Sequence, residues 1–185
     1  MAKIRADAHR NRERLLEAAT AAFAAADGTV VSLEAIARDA GVGIGTLYRH
    51  FPSREALIEA VYRTELAEVS VSAADLLEHH APVAALRHWM NRYASFVAAK
   101  QGMAESLSAM FASGAVEPGD TRASIVGAVD TLLRAGGADG SLRSDVSADD
   151  VVSSLIGISI ASHSTEQAHR MRALLVDGLV VTRSP

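Results

Sequence analysis

The chain has 185 residues, with 18 Lys/Arg against 22 Asp/Glu for a net charge of −4, 49% apolar residues and no cysteine. Such a composition suits one or two compact units with a substantial core, and it excludes disulfides and thiolate metal sites. No uninterrupted apolar run approaches the ~18 residues of a membrane span and no apolar leader opens the chain, so a soluble cytoplasmic protein is expected.

The first helix is expected from about Ala8 to Ala26, with Leu15, Leu16, Ala19 and Phe23 on one face and Asp27-Gly28 as its stop. Charge is unevenly placed: residues 1–63 hold nine Lys/Arg and eight Asp/Glu (+1), whereas 64–185 hold nine and fourteen (−5). Lys3, Arg5, Arg10, Arg12 and Arg14 outnumber Asp7 and Glu13 near the start. Such a patch is either a solvated basic tail or a phosphate contact on an otherwise acidic molecule. Thr29-Val30-Val31 is too short to argue for a strand and reads as a lead-in to Ser32.

Ser32 can cap a second helix, on which Leu33, Ile36, Ala37 and Ala40 follow the spacing of one buried face. Gly41 supplies a backbone free to take positive φ, which ends that helix and turns the chain. Leu47 and Phe51, four apart, give a short third helix its apolar edge. Thr46, Tyr48, Arg49 and His50 then remain for its polar side. Pro52-Ser53-Arg54-Glu55 starts a fourth helix, with Ser53 as its cap. A helix–turn–helix that presents hydroxyls and cations on its second helix suits the DNA major groove.

The run Gly41-Val42-Gly43-Ile44-Gly45-Thr46-Leu47-Tyr48-Arg49-His50-Phe51 resembles the turn and recognition helix of the TetR family of bacterial transcriptional regulators. Ser53-Arg54-Glu55-Ala56-Leu57 is similar to the opening of that family's fourth helix. The family often has Ser or Thr where this chain has Gly43. The resemblance implies DNA contacts from Ser32, Gly43, Ile44, Gly45, Thr46, Tyr48, Arg49, His50 and Arg54. Tyr48 is assigned a phosphate. Gly45 allows a DNA backbone to approach closely, and Thr46 suits a phosphate or a thymine methyl. Ile44 suits an apolar base contact, while Arg49 and His50 are open between contact and solvation. Arg54 sits unfavourably at a helix start, where a bound phosphate would offset the dipole.

The fourth helix is expected from Arg54 to about Ala73. It joins a DNA-binding domain at 1–53 to a regulatory and dimerisation domain at 74–185. Pro82 opens a fifth helix, with Val83, Leu86, Met90, Tyr93 and Val97 as its stripe to about Lys100. A shorter helix over Met103–Phe111 follows the break at Gly102. Glu117-Pro118-Gly119 reads as a loop, and Asp120 caps a seventh helix that ends at Gly136-Gly137. Ser147 with Asp150, and Ser164 with Gln167, mark the last two helices as capping boxes. Gly140-Ser141-Leu142-Arg143 with Asp145-Val146 is similar to the loop before the penultimate helix in actinobacterial members of the family. The expected fold is all-α, with about nine helices.

The last two helices carry apolar residues beyond one narrow stripe. Val152, Leu155, Ile156, Ser159, Met171, Leu174, Leu175 and Leu179 are therefore the expected homodimer interface, or else the core of a monomer, and Gly157 and Gly178 permit close helix approach. His88, Trp89, Tyr93, Phe96, Met103, Met110, Phe111 and His163 are candidates to line an apolar effector pocket, with ordinary core as the competing explanation. His80 and His88 straddle Pro82, and no histidine pair has first-shell spacing, so no metal or cofactor is expected. No Ser/His/Asp constellation, phosphate-cradling glycine loop or paired carboxylates argues for an enzyme. The implied function is a homodimeric repressor that binds double-stranded operator DNA, touches no membrane and answers to a small-molecule effector. A DNA-binding regulator without a ligand and an enzyme with a helix–turn–helix-like start are the rival readings.

Overall fold

A computed structural model of the chain describes residues 2–26, 29–112, 114 and 118–182. Among them are nine helices and no strand: α1 (Ala2–Ala24), α2 (Leu33–Asp39), α3 (Ile44–His50), α4 (Arg54–His79), α5 (Pro82–Gly102), α6 (Ala104–Ala112), α7 (Pro118–Asp139), α8 (Ala148–Ala161) and α9 (Thr165–Leu179). The fold is all-α, as expected. Asp27 and Gly28, the expected stop of the first helix, lie outside the described residues, as does Glu117.

The chain divides into two compact units, Met1–Glu65 with Ser95–Val116, and Leu66–Ala94 with Glu117–Pro185. The division falls inside α4 and α5. Two continuous helices therefore belong to both units. Because α4 reaches His79 with no breaker before Ala81-Pro82, it outruns the expected end at Ala73.

In the first unit Leu15, Ala19 and Phe23 of α1 are fully buried, together with Ile36, Leu47, Leu57, Val61 and Tyr62. Tyr62 packs against Phe96 at 5.8 Å and meets Phe111 edge-on at 5.9 Å. Gly102 closes α5 against the end of α1: a Cβ built there would lie 2.0 Å from the Phe23 carbonyl oxygen. Backbone meets backbone at that point, which is why the position holds glycine.

The second unit centres on Trp89, which is fully buried and donates its indole N–H to the Val69 carbonyl at 2.9 Å. Tyr93 stacks on it at 5.5 Å with the rings 12° apart. The capping expectations hold here, since Ser147 Oγ accepts from the Asp150 amide and Ser164 Oγ from the Gln167 amide, each at 3.1 Å.

Helix α7 corrects the sequence reading at both ends. It starts at Pro118, a favoured first helical position, and it runs through Gly136-Gly137 to Asp139. Gly140 at φ +74° ends it instead. Gly136 serves packing: a Cβ there would lie 2.4–2.7 Å from three atoms of the Leu142 side chain. Leu142 is a buried knob, pinned by its amide bond to the Gly136 carbonyl at 3.0 Å and by its bridge to Val180. Gly136→Ala should therefore expel Leu142. An overpacking penalty of about 2 kcal/mol would lower the melting temperature by roughly 4–8 °C in a circular dichroism melt.

Candidate nucleic-acid interface

Helices α2 and α3 are set by local chemistry. Ser32 Oγ accepts the Ala35 amide at 3.2 Å, which satisfies one orphan donor at the start of α2. Ile36 and Ala37 bury the inner face. Past the C-cap Ala40, Gly41 at φ +66° lets the Val42 amide reach the Ala37 carbonyl and its own amide the Arg38 carbonyl, both at 2.9 Å. That pair of bonds is a Schellman stop, and it fixes the angle at which the chain enters α3. Gly43 is the N-cap of α3 and offers no side-chain bond.

Only Leu47 of α3 is buried, and it is fully so. At about 100° per residue, Gly45 and Arg49 fall opposite Leu47, with Tyr48 and Thr46 on the two flanks and Ile44 nearer the buried side. Exposure agrees: Gly45, Tyr48 and Arg49 are exposed, and Ile44 and Thr46 are half-buried. Tyr48 leaves 47% of its surface in solvent although it is a large aromatic residue. With Leu47 buried, Tyr48 and Arg49 stand in solvent. His50 departs from this ridge: it is half-buried, and its ring sits 6.3 Å from that of Phe51.

Two cations that sequence reasoning assigned outward have intramolecular work. Arg54 Nη1 donates to the Val31 carbonyl at 2.6 Å, and its guanidinium lies 5.9 Å over the Phe23 ring. It ties the lead-in of α2 to the start of α4. Arg12 lies 5.1 Å over the Phe51 ring and so links α1 to the end of α3. Of the remaining α1 cations, Arg10 pairs with Asp7, and Arg14 bonds Asn11 at 2.6 Å. The side chains of Lys3 and Arg5 lie outside the described ones. Ser53 caps α4 as expected, accepting the Ala56 amide at 3.1 Å. Bonds from the helix-start backbone and Ser53 hold the Glu55 carboxyl below its ordinary range.

The expected effector residues divide between the two units. In the second unit, Trp89 and Tyr93 are stacked core, and burial pushes the Tyr93 phenol up. His88 and His163 are exposed; His88 stands 4.5 Å from His80, and the His163 amide bonds the Gln167 side chain at 2.8 Å. In the first unit, Phe96 and Met103 are buried, and Phe111 packs on Tyr62 beneath the Lys100 ammonium. Met110 joins Met103 along an open groove of about 950 Å³. A stripe of aromatic and methionine residues looks the same in sequence whether it fills a core or rims a pocket; here Trp89, Tyr93 and Phe96 are buried, while Met103 and Met110 also line the groove. Among the described residues no group of three or more His, Asp or Glu is placed to hold a metal ion.

The expected interface residues divide in the same way. Val152, Leu155 and Leu179 are buried within the second unit, so they leave nothing for a second copy. Ser159, Met171 and Leu175 are half-buried, while Ile156 and Leu174 are exposed. Ile160, which the sequence reading left out, is 80% exposed, and open space surrounds Gly157 and Gly178.

Residues 15–61 match the model of bacterial regulatory proteins of the tetR family, and residues 81–181 match that of the SbtR-like transcriptional regulator C-terminal domain. The chain is similar to a TetR transcriptional regulator of Streptomyces coelicolor, at 44% identity over 93% of this chain and 99% of that one, with a TM-score of 0.83. It is also similar to a TetR transcription regulatory protein of Mycobacterium vanbaalenii, at 34% identity over 96% and 99% of the two chains, with a TM-score of 0.74. Over 63 residues, 34% of each chain, it is 38% identical to an HTH-type transcriptional regulator of Staphylococcus aureus, so the match spans about a third of that curated relative.

Proposed function

The chain belongs to the TetR family of bacterial transcriptional regulators, and we propose that it is a homodimeric repressor, released from a palindromic operator by a small apolar effector. The observation that carries this reading is the outward ridge of α3, where an exposed aromatic hydroxyl and an unburied guanidinium flank an exposed glycine over a fully buried Leu47. In the proposal Tyr48 and Arg49 hold phosphates and Thr46 holds a phosphate or thymine methyl. Ile44 reaches a base edge, and Gly43 and Gly45 admit the DNA backbone. Ser32 and Arg54 set the geometry from behind. His50 belongs with Phe51 at the rim.

One seven-residue helix reads too little sequence to be selective, so two copies must dock about one DNA turn apart. The exposed apolar residues Ile156, Ile160 and Leu174, beside Gly157 and Gly178, are the proposed meeting face. Light scattering should return the mass of two chains. An effector acting on the second unit has α4 as its route, because that helix belongs to both units. A tenfold bias between dimer geometries takes only about 1.4 kcal/mol of differential ligand affinity. A melting-temperature rise with one compound of an apolar panel supports the effector, and a flat panel favours a regulator without one.

Electrophoretic shift against the DNA beside its own gene tests the reading. The expected result is a sequence-selective complex that weakens as salt rises. Gly45→Ala separates DNA approach from folding. Nothing lies within 4 Å of a Cβ at that position, so alanine should stabilise the free protein by about 0.5–1 kcal/mol. The same methyl should weaken the DNA complex. Better folding with undiminished binding would remove Gly45 from the interface.

A further inference from the structure

Arg172 of α9 is a cation without a counterpart. Its Nε is sealed from solvent and has no acceptor, and burial pulls the guanidinium below its ordinary value. A buried donor without a partner is costly, more so when charged. Arg172 lines a cavity of about 110 Å³ in the second unit, open to solvent, between α5 and α9. Arg87, Asn91 and His169 share that lining, with Met90 and Val176 as its apolar part.

The charges are lopsided. Arg87 is held by Asp177 at 2.6 Å, and Asp177 is not itself part of the lining. Glu166, one turn before His169, has its carboxyl occupied by the α9 helix start and by Ser164. Among the described residues no carboxylate lines the cavity, and Arg172 is the guanidinium there that no ion pair holds.

We propose that this cavity is a binding site for a short-chain carboxylate, whose two oxygens engage the two Nη groups of Arg172 while its alkyl stem rests on Met90 and Val176. The planar guanidinium fork matches a carboxylate through two parallel N–H bonds. The volume is under four waters' worth of liquid at about 30 Å³ each, which admits a ligand of acetate to butyrate size. The apolar part of the lining favours a one-headed carboxylate over a phosphate, which is polar all round. On α9 the lining residues 169, 172 and 176 face away from Leu174, so the site is separate from the proposed meeting face and does not depend on it. Bound ligand would tie α9 to α5, the helix that continues into the first unit and ends at Gly102.

Titration of the full chain with sodium butyrate, against sodium chloride at equal ionic strength, tests the site by calorimetry and thermal shift. Saturable binding with a raised melting temperature is expected. Arg172→Gln should weaken it at least about tenfold, the size of one lost charge-assisted hydrogen bond. Ala173→Met, which fills the cavity without touching a charge, should also abolish it and so covers the case in which Arg172→Gln misfolds. A 4-bromobutyrate soak should place an anomalous peak beside Arg172. Butyrate acting no differently from chloride, or Arg172→Gln binding as well as the parent, overturns the site. Phosphate binding more tightly than butyrate overturns its assignment to carboxylates.

Discussion

Replacing Gly102 by alanine should lower stability more than the same change at any other described glycine. The new carbon would stand 2.0 Å from the Phe23 carbonyl oxygen, 2.8 Å from its carbon and 3.2 Å from the Phe23 Cα. All three are backbone atoms of the end of α1, and no side chain can rotate to make room. Alanine ordinarily favours a helix over glycine by about 1 kcal/mol. That gain is smaller than the penalty of forcing two helix ends apart, for which overpacking of about 3 kcal/mol or more is expected. In a protein of this size the melting temperature should fall by roughly 6–12 °C. The contrast with Gly45→Ala makes the test sharp, because the same methyl enters open space there and should raise it. A melt of Gly102→Ala that overlays the parent would mean that α1 and α5 do not meet backbone to backbone.

Glycines also show why some of this fold was legible in sequence and some was not. Gly41 was readable because its reason is local: a helix stops, two amides turn back to Ala37 and Arg38, and positive φ is required. The serine caps at 32, 53, 147 and 164 were readable for the same reason, since each bonds an amide three residues on. Gly136 was misread as a breaker, and Gly102, where α5 does end, gave no sign of its close partner, because their reasons, Leu142 and Phe23, are contacts that periodicity does not carry. The effector residues and the apolar faces of α8 and α9 share that limit. Hydrophobicity says that a side chain leaves water, not what it meets, so Leu155 inside the unit and Ile160 outside it read alike. The bond from Arg54 to the Val31 carbonyl was equally unreadable, because a cation at a helix start suggests an anion and not a carbonyl 23 residues earlier.

Tyr48→Ala should leave the fold intact and disable DNA binding. The side chain is 47% exposed, and the anchor of α3 is Leu47, so thermal stability should change by no more than about 0.5 kcal/mol. On the operator, each protomer loses one hydroxyl bond to phosphate, worth about 1.5 kcal/mol when the acceptor is charged. Two-fold symmetry doubles the loss to about 3 kcal/mol, roughly a hundredfold in Kd. Tyr48→Phe isolates the hydroxyl from the ring and should show most of that loss. Because a neutral hydroxyl displaces no condensed counterion, the slope of affinity against salt should stay as it is in both variants. Arg49→Ala should instead flatten it by about one unit for each phosphate released. Non-specific DNA should lose affinity along with the operator, since phosphate contacts position the protein without reading bases. If Tyr48→Ala held the operator as tightly as the parent, the ridge of α3 would not be the DNA-binding surface. The search would then pass to the α1 cations, beginning with Arg12 over Phe51.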